Sequence, residues 1–415
     1  MHVLFVHPNF PAQFGHLALH LVEKLGWQAT FVSQTPGEHA GEIRKLQYTT
    51  NGGATAQNHF CSRTFENAVW NTDGVFQACK AAGGSLKPDL IVGHSGFGST
   101  LFLPELYPGV PVVNLFEYFY RPHHPESDMD FRKDLGWEVP EVNYLRSRCR
   151  NAMIMLDLEA ASAGYTPTEF QRSCFPKTYQ PKLRVLFDGV DRAVYHSSGD
   201  ELRGEGVRRV AGREVPAGTR IVTYVSRGFE SMRGFDIFVR AARLILEKHP
   251  ETVIFVVGTD RHAYGGDEGN VAPQKTFKEW TLARWPVDGR VVFTGRLGRE
   301  ELGRLLAASD LHIYLTVPFV LSWSMMDAMS CGAVVLGSDT APVREMIRDG
   351  ENGLLADFFS PEEIAEKAVA VLRDPGKYRG LGRAAEEMIA GRYSLEAVVP
   401  EMVGMFEGVV KGAGG

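Results

Sequence analysis

The chain has 415 residues, more than a single hydrophobic core usually spans, so two domains are expected. Its apolar content of 44%, charged content of 23% and net charge of −6 are those of a globular protein and argue against general nucleic-acid binding. Five scattered cysteines without C-x-x-C spacing (Cys61, Cys79, Cys149, Cys174, Cys331) and the lack of any apolar run near 18 residues argue for a reducing cytoplasm and against a zinc site, a signal peptide or a membrane span.

His2 to His7 (HVLFVH) reads as an apolar strand. It runs into the loop PNFPAQFG, and a helix follows over 16–25 with Leu17, Leu21 and Leu25 on one face. This strand, loop and helix lack G-x-G-x-x-G and are no dinucleotide fingerprint. Gly15 reads either as a tight start to the helix or as a place where backbone approaches a ligand. Residues 50–60 read as a loop and Phe65 to Lys80 as a helix. Pro88 to Val92 is a strand ending in GHSGFG. His94 therefore sits at a strand's carboxyl end, where open α/β sheets bind ligands, although a structural role fits equally. Val110 to Phe116 is the next strand, ending in EYFYR (Glu117 to Arg121). His123, His124, Glu126, Asp128 and Asp130 then fall within eight residues. They raise a metal site, but the segment is polar and proline-flanked and no second ligand cluster accompanies it, so no metal is expected. Ala152 to Ala161 reads as a helix, Ala163 to Phe170 as a strand and the start of a helix, and Leu183 to Phe187 as a strand ending in DGVD. From Tyr195 to Gly218 the chain is polar, with Gly199, Gly204, Gly206, Gly212 and Gly218, and reads as the interdomain linker.

Arg220 to Ser226 opens a second run of strands. It leads into RGFESMRG, expected to be an exposed loop, and then into an amphipathic helix over 236–248. Arg227 and Arg233 flank that loop at a strand's carboxyl end, which favours an anion site over two surface arginines. Thr252 to Val257 and Val291 to Thr294 are further strands, the second ending in Gly295, Arg296 and Leu297. Glu301 to Ala308 is a helix. Leu311 to Asp357 then reads strand, loop, helix, strand, helix. The strands are Leu311 to Leu315 and Ala333 to Leu336, and the helices Ser324 to Cys331 and Asp339 to Ile347, with Gly332 just past the first. This is a βαβ unit, hence a parallel sheet. Asp327 is either the capping-box acid of a helix capped by Ser324 or an acceptor for a ribose diol while the helix amides hold a phosphate. Helices over 361–373, 377–389 and 394–410 close the chain.

Taken together, PFVLSWSMMDAMSCGAVVLGS, APVREMI, DGENGLL, RGFESMRGF, FDGVD and NFPAQFGHLA resemble the family-four, group one glycosyl transferases. These are retaining enzymes of the glycosyltransferase-B fold, and the resemblance covers nearly the whole chain. It implies an α/β architecture of two Rossmann-like parallel-sheet domains facing a central cleft. The N-terminal acceptor domain would span 1–195 and the C-terminal sugar-nucleotide domain 215–393, with the helix at 396–415 packing back on the first. It implies that Arg227 and Arg233 grip the diphosphate, that Asp327 binds the ribose, and that Leu321, Ser322 and Trp323 present amides to phosphate and sugar. Gly295, Arg296 and Leu297 would edge the base, Gly15 would face the phosphate, and His94 would lie near the transferred sugar. Gln13, Phe14, Glu117, Tyr120 and Arg121 would line the acceptor side. The family's paired-acid motif places an acid where this chain has Phe319. Phe319 therefore either lines the pocket of a sugar with a less polar edge or is a packing residue. Asp128-x-Asp130 is only a weak likeness to the metal-binding motif of another transferase class.

The resemblance thus implies a metal-independent, cytoplasmic hexosyl- or hexosaminyltransferase of glycan, glycolipid or natural-product biosynthesis. It would need no cofactor. Its donor would be a nucleoside-diphosphate sugar, uridine slightly ahead of guanosine, and its acceptor a hydroxyl. Peripheral membrane contact would follow if that acceptor is a lipid. The rivals are a non-catalytic sugar-nucleotide-binding protein, suggested by Phe319, and a sugar-nucleotide epimerase.

Overall fold

The computed structural model describes residues 1–35, 41–197 and 206–413; Gly199 and Gly204 of the expected linker lie outside them. The chain forms two units. One holds Met1–Met129, Val139–Gly189 and Leu395–Gly415, the other Asp130–Glu138 and Val190–Ser394. The chain therefore changes unit between Gly189 and Val190 rather than at 195. The inserted segment Asp130–Glu138 was not anticipated. It belongs with the second unit because its aromatic residues stack there: Phe131 lies against Phe358 and Phe359 at ring separations of 5.2 and 5.0 Å, and Trp137 against Phe277 and Trp280 at 5.9 and 5.4 Å.

The first unit runs β1 (His2–Val6), α1 (Gly15–Leu25), β2 (Gln28–Ser33), β3 (Arg44–Gln47), α2 (Arg63–Ala82), β4 (Leu90–His94), α3 (Leu103–Leu106), β5 (Val112–Leu115), α4 (Glu141–Ala160), β6 (Ala163–Thr166), α5 (Glu169–Cys174) and β7 (Leu183–Val185). The strands form one parallel sheet in the order β3-β2-β1-β4-β5-β6-β7. Strand alternation between two covered faces explains why β1 is apolar from Val3 to Val6. Val3 and Phe5 point into one core with Leu17 and Leu21 of α1, while Leu4 and Val6 point into the other with Val75 and Cys79 of α2.

The second unit begins with an antiparallel hairpin, β8 (Arg208–Val210) and β9 (Arg213–Val215), inside the stretch expected to be linker. It continues through β10 (Arg220–Gly228), α6 (Phe235–Lys248), β11 (Thr252–Thr259), α7 (Phe277–Arg284), β12 (Val291–Gly295), α8 (Arg299–Ala307), β13 (Leu311–Tyr314), α9 (Trp323–Ser330), β14 (Val334–Ser338), α10 (Ala341–Arg344), β15 (Leu354–Ala356), α11 (Pro361–Arg373) and α12 (Pro375–Met388). Its parallel sheet has the order β12-β11-β10-β13-β14-β15. The helix expected over 339–347 is only the single turn α10. Tyr224 of β10 stacks on Phe238 of α6 with ring centroids 4.2 Å apart. The last helix, α13 (Leu395–Ala413), buries Val398, Val399, Met402, Met405 and Phe406 in the first unit's core beside Val3 and Phe5.

Each sheet reverses its winding once, between β1 and β4 in the first unit and between β10 and β13 in the second. At such a point the loops leaving the two strands diverge, and the crevice between them is where open α/β sheets take ligands. Gln13, in the loop after β1, and His94, the last residue of β4, lie there in one unit, and Arg233 and Thr316 to Ser322 in the other.

Candidate functional site

In the second unit β10 ends in a short helical turn, Ser231–Arg233, closed by Gly234 at φ 60°. A Cβ on Gly234 would sit 2.9 Å from the Leu315 Cβ, so the sharp turn into α6 requires glycine. Two buried acids hold the turn. Asp267 accepts from the Ser231 amide (2.8 Å) and hydroxyl (2.5 Å). Glu230 Oε1 accepts from the amides of Ala263, Tyr264 and Gly265 at 2.9–3.0 Å.

Arg233 was expected in an exposed loop. It is only 4% exposed. Its guanidinium donates to the Thr316 hydroxyl (2.7 Å), the Val320 carbonyl (3.1 Å) and the hydroxyls of Tyr314 and Tyr264 (both 3.3 Å), and it lies 5.0 Å from the Tyr264 ring. Every one of these partners is formally neutral, and no carboxylate pairs with Arg233 among the described residues. Burial alone presses the group to lose its charge; the surrounding tyrosine oxygens reverse that, and the pKa ends above its ordinary value. A buried cation without a counter-charge is costly, so the place is prepared for an anion. Arg227, at the end of β10, is exposed as expected.

α9 starts beside this turn. Its cap is Ser322, whose hydroxyl accepts from the Ser324 amide at 3.4 Å, and not Ser324 as expected. The Ser322 amide donates to the Tyr314 hydroxyl at 2.8 Å and so is not offered to a ligand. The Leu321 amide has no protein acceptor among the described residues, and Trp323 presents an exposed indole. Asp327 lies in the second turn's reach of that cap and is partly exposed. Desolvation pushes its carboxyl up to about 8, against the pull of Arg299 and with added repulsion from Asp191. No protein group donates to it among the described residues. Phe319, 7% exposed, packs edge-on to Tyr264 at 5.5 Å. Gly295 has φ 73° with open space where its Cβ would be, and Arg296 is exposed. Leu297 is partly buried and packs against the core of Ile221, Phe255 and Leu305.

In the first unit His94 ends β4 and is 4% exposed. Its Nδ1 lies 2.9 Å from the Ser95 carbonyl and its Nε2 3.3 Å from Glu117 Oε2; Gln13 donates to the other Glu117 oxygen at 3.1 Å. Desolvation opposes the imidazolium, but the Glu117 charge outweighs it and raises His94, while the same pairing lowers Glu117 against its own desolvation. Each group thus favours the charged form of the other. Asp157 of α4 fixes the turn after His94, accepting from Ser95 Oγ (2.9 Å) and the Gly96 amide (3.0 Å); burial pushes it up to about 6. Tyr120 and Arg121 follow Glu117 in the chain, and the Glu117 charge acts on Tyr120. They line a cavity of about 380 Å³ with Phe119, Arg148, Asn151 and Met155. Phe14 is core, 5.7 Å from the Phe5 ring, rather than an acceptor contact. Gly15 starts α1, where a Cβ would lie 2.8 Å from the Pro11 Cβ, so it serves the tight start of the helix. Asp128 is partly buried and accepts from the Tyr118 hydroxyl at 3.2 Å, and desolvation raises it. No cluster of three or more His, Cys, Asp or Glu suited to a metal occurs among the described residues.

Sequence reasoning missed Glu230, Tyr264, Asp267, Tyr314 and Thr316, which build the pocket around Arg233, and Asp157 behind His94. Only Glu230, an acid inside the basic loop, carried a local signal.

The Glycosyl transferase family 4 group matches residues 25–194 and the Glycosyl transferases group 1 matches residues 211–388. The D-inositol 3-phosphate glycosyltransferase of Acidothermus cellulolyticus is 27% identical over 228 residues, 54% of this chain and 48% of that protein. The N-acetyl-alpha-D-glucosaminyl L-malate synthase of Bacillus anthracis is 26% identical over 125 residues, 30% of this chain and 32% of that protein. The chain thus spans half or less of the length of these curated relatives. Sucrose-phosphate synthase from Thermosynechococcus elongatus superposes with a TM-score of 0.75 at 17% identity, covering 99% of both chains. Anabaena HepE, solved with UDP and glucose, superposes at 0.67 and 16% identity, over 98% of this chain and 100% of the other. The two structural likenesses speak for the fold alone. With both family matches and two parallel-sheet α/β units, the chain belongs to the group 1 glycosyl transferases and has the glycosyltransferase-B fold.

Proposed function

We propose that the chain is a retaining glycosyltransferase that moves a hexosyl or hexosaminyl group from a nucleoside-diphosphate sugar to a hydroxyl acceptor. The observation that carries this reading is Arg233, buried at the β10–β13 reversal with only neutral partners. A diphosphate supplies the missing negative charge, and a planar guanidinium matches its oxygens. Arg227 adds a second positive charge, and the start of α9 adds its partial charge. Together they stabilise the departing diphosphate without calling on a metal, which is the largest single contribution expected in group transfer. Asp327, lacking a donor of its own, takes the ribose hydroxyls. The pair of His94 and Glu117 serves the sugar and acceptor side, with Gln13 orienting Glu117. Uridine is preferred as the base, in keeping with HepE, a fold neighbour solved with UDP and with UDP-glucose. The acceptor role of the first unit, the sugar-nucleotide role of the second, the cytoplasmic setting, and membrane contact in the case of a lipid acceptor are part of the same proposal.

The test is incubation with UDP-glucose, UDP-N-acetylglucosamine and GDP-mannose, followed by proton NMR of the anomeric signals. Transfer or slow hydrolysis with the donor's anomeric configuration kept is the expected result. Binding of every donor tried without turnover would support the non-catalytic reading that Phe319 suggests, and an epimerised sugar nucleotide formed without acceptor would replace transfer with epimerisation.

A further inference from the structure

Arg132 comes from the inserted segment of the second unit and is 8% exposed. All five of its N–H donors are used. Nε and one Nη donate to Asp134 at 2.9 and 3.0 Å. The two Nη groups also form a fork on Asp236, at 3.1 and 2.8 Å, and Nη1 donates to the Ser231 carbonyl. Ser231 opens the turn that carries Arg233, and Asp236, 2% exposed, lies in the first turn of the helix that follows it. One guanidinium thus grips the Arg233 turn on both sides, from about a hundred residues earlier in the chain.

Anchoring the inserted segment does not require this grip. Phe131 and Trp137 already hold it through four ring contacts. A buried ion pair is also a poor source of net stability, because desolvation consumes most of its Coulomb gain. What a two-pronged guanidinium supplies is fixed geometry. Without it, Asp236 becomes an unpaired buried carboxylate three residues after Arg233, free to compete with a diphosphate for that guanidinium.

We propose that Arg132 is a positioning residue for the diphosphate site, holding the Ser231–Arg233 turn and occupying Asp236 so that Arg233 stays open to phosphate. This rests on the reading of Arg233 as the diphosphate ligand. The test is calorimetric titration of the full chain with uridine and guanosine diphosphates, using the one the unaltered protein binds. Arg132→Ala and Arg132→Lys should each weaken binding between roughly 10- and 100-fold, the scale for losing one charge-assisted hydrogen bond to the diphosphate. Lysine should fail because it keeps the charge but loses the fork. Should Arg132→Ala not fold, Arg132→Lys carries the test. Trp137→Ala loosens the same segment without touching the turn; it should lower the melting temperature and leave affinity within about 2-fold. Unchanged affinity in Arg132→Lys, or an equal loss in Trp137→Ala, overturns the proposal and leaves Arg132 a structural anchor. Arg233→Ala, measured alongside, separates the two claims. If it binds normally while the Arg132 variants do not, the Arg233 reading fails and the turn holds phosphate through other groups. If it loses binding while the Arg132 variants keep it, only the role of Arg132 fails.

Discussion

Replacing Asp327 with asparagine should stabilise the protein at neutral pH while weakening its hold on nucleotide. The carboxyl is pushed up from 3.8 to about 8, chiefly by desolvation, with Arg299 pulling it down and Asp191 pushing it further up. A folded-state pKa above the unfolded one means that the folded chain binds the extra proton. The group's contribution is therefore best below pH 4, and stability is lost as pH rises from there towards 8. Each pH unit between 3.8 and 7 costs about 1.4 kcal/mol, so at pH 7 the carboxyl destabilises the folded chain by about 4 kcal/mol. Asparagine removes that titration but leaves an amide without partners, which returns roughly 1–3 kcal/mol of the gain. The net is about 2 kcal/mol at pH 7, or roughly 4–8 °C for a domain of this size; it falls to zero near about pH 5 and reverses below that, where only the amide's cost remains. The assay is thermal unfolding of both proteins at pH 4.5, 6 and 7.5, with and without uridine diphosphate. Loss of the carboxyl that meets the ribose hydroxyls should lower nucleotide affinity by up to about 10-fold. Parallel pH dependences in the two proteins, with equal nucleotide-induced shifts, would refute both the burial argument and the ribose assignment.

Three further outcomes are expected. Turnover should survive EDTA, since Arg233, Arg227 and the start of α9 supply the positive charge; loss in EDTA restored by manganese would revive Asp128 and Asp130 as metal ligands. Arg227→Ala and Arg233→Ala should each cut turnover by roughly 10²-fold or more. The exposed Arg227 should do so with no change in melting temperature, and near-normal rates in both would place the diphosphate elsewhere. Phe319→Glu, assayed against a donor panel, should shift preference towards fully hydroxylated sugars if Phe319 shapes the sugar pocket. A uniform loss across donors with a lowered melting temperature would instead make it a packing residue behind Tyr264.

The fold was legible wherever strands are buried on both faces. β1, β4 and β13 read as apolar runs because helices cover both sides of each sheet, and the glycines and prolines after them mark the loops at the two reversals. β3 (RKLQ) was not legible: as an edge strand with its residues half exposed, it carries no apolar run. The hairpin β8–β9 was hidden in a polar, glycine-rich stretch for the same reason. Asp339 to Ile347 looked long enough for a helix, but only Ala341–Arg344 forms one. At the site, spacing from strand ends was enough to single out His94, Arg227, Arg233 and Asp327. The burial of Arg233 was not, because the groups that enclose it, Tyr264, Tyr314, Thr316 and Val320, lie 31–87 residues away. The same holds for Arg132, whose grip on Ser231 and Asp236 spans 99–104 residues.

The most direct test of the central claim is a crystal structure of the chain soaked with uridine diphosphate. The account predicts phosphate oxygens within about 3 Å of the Arg233 guanidinium, beside the start of α9, with the ribose hydroxyls on Asp327. A diphosphate bound elsewhere, with Arg233 still donating only to Thr316, Val320 and the two tyrosines, would contradict it.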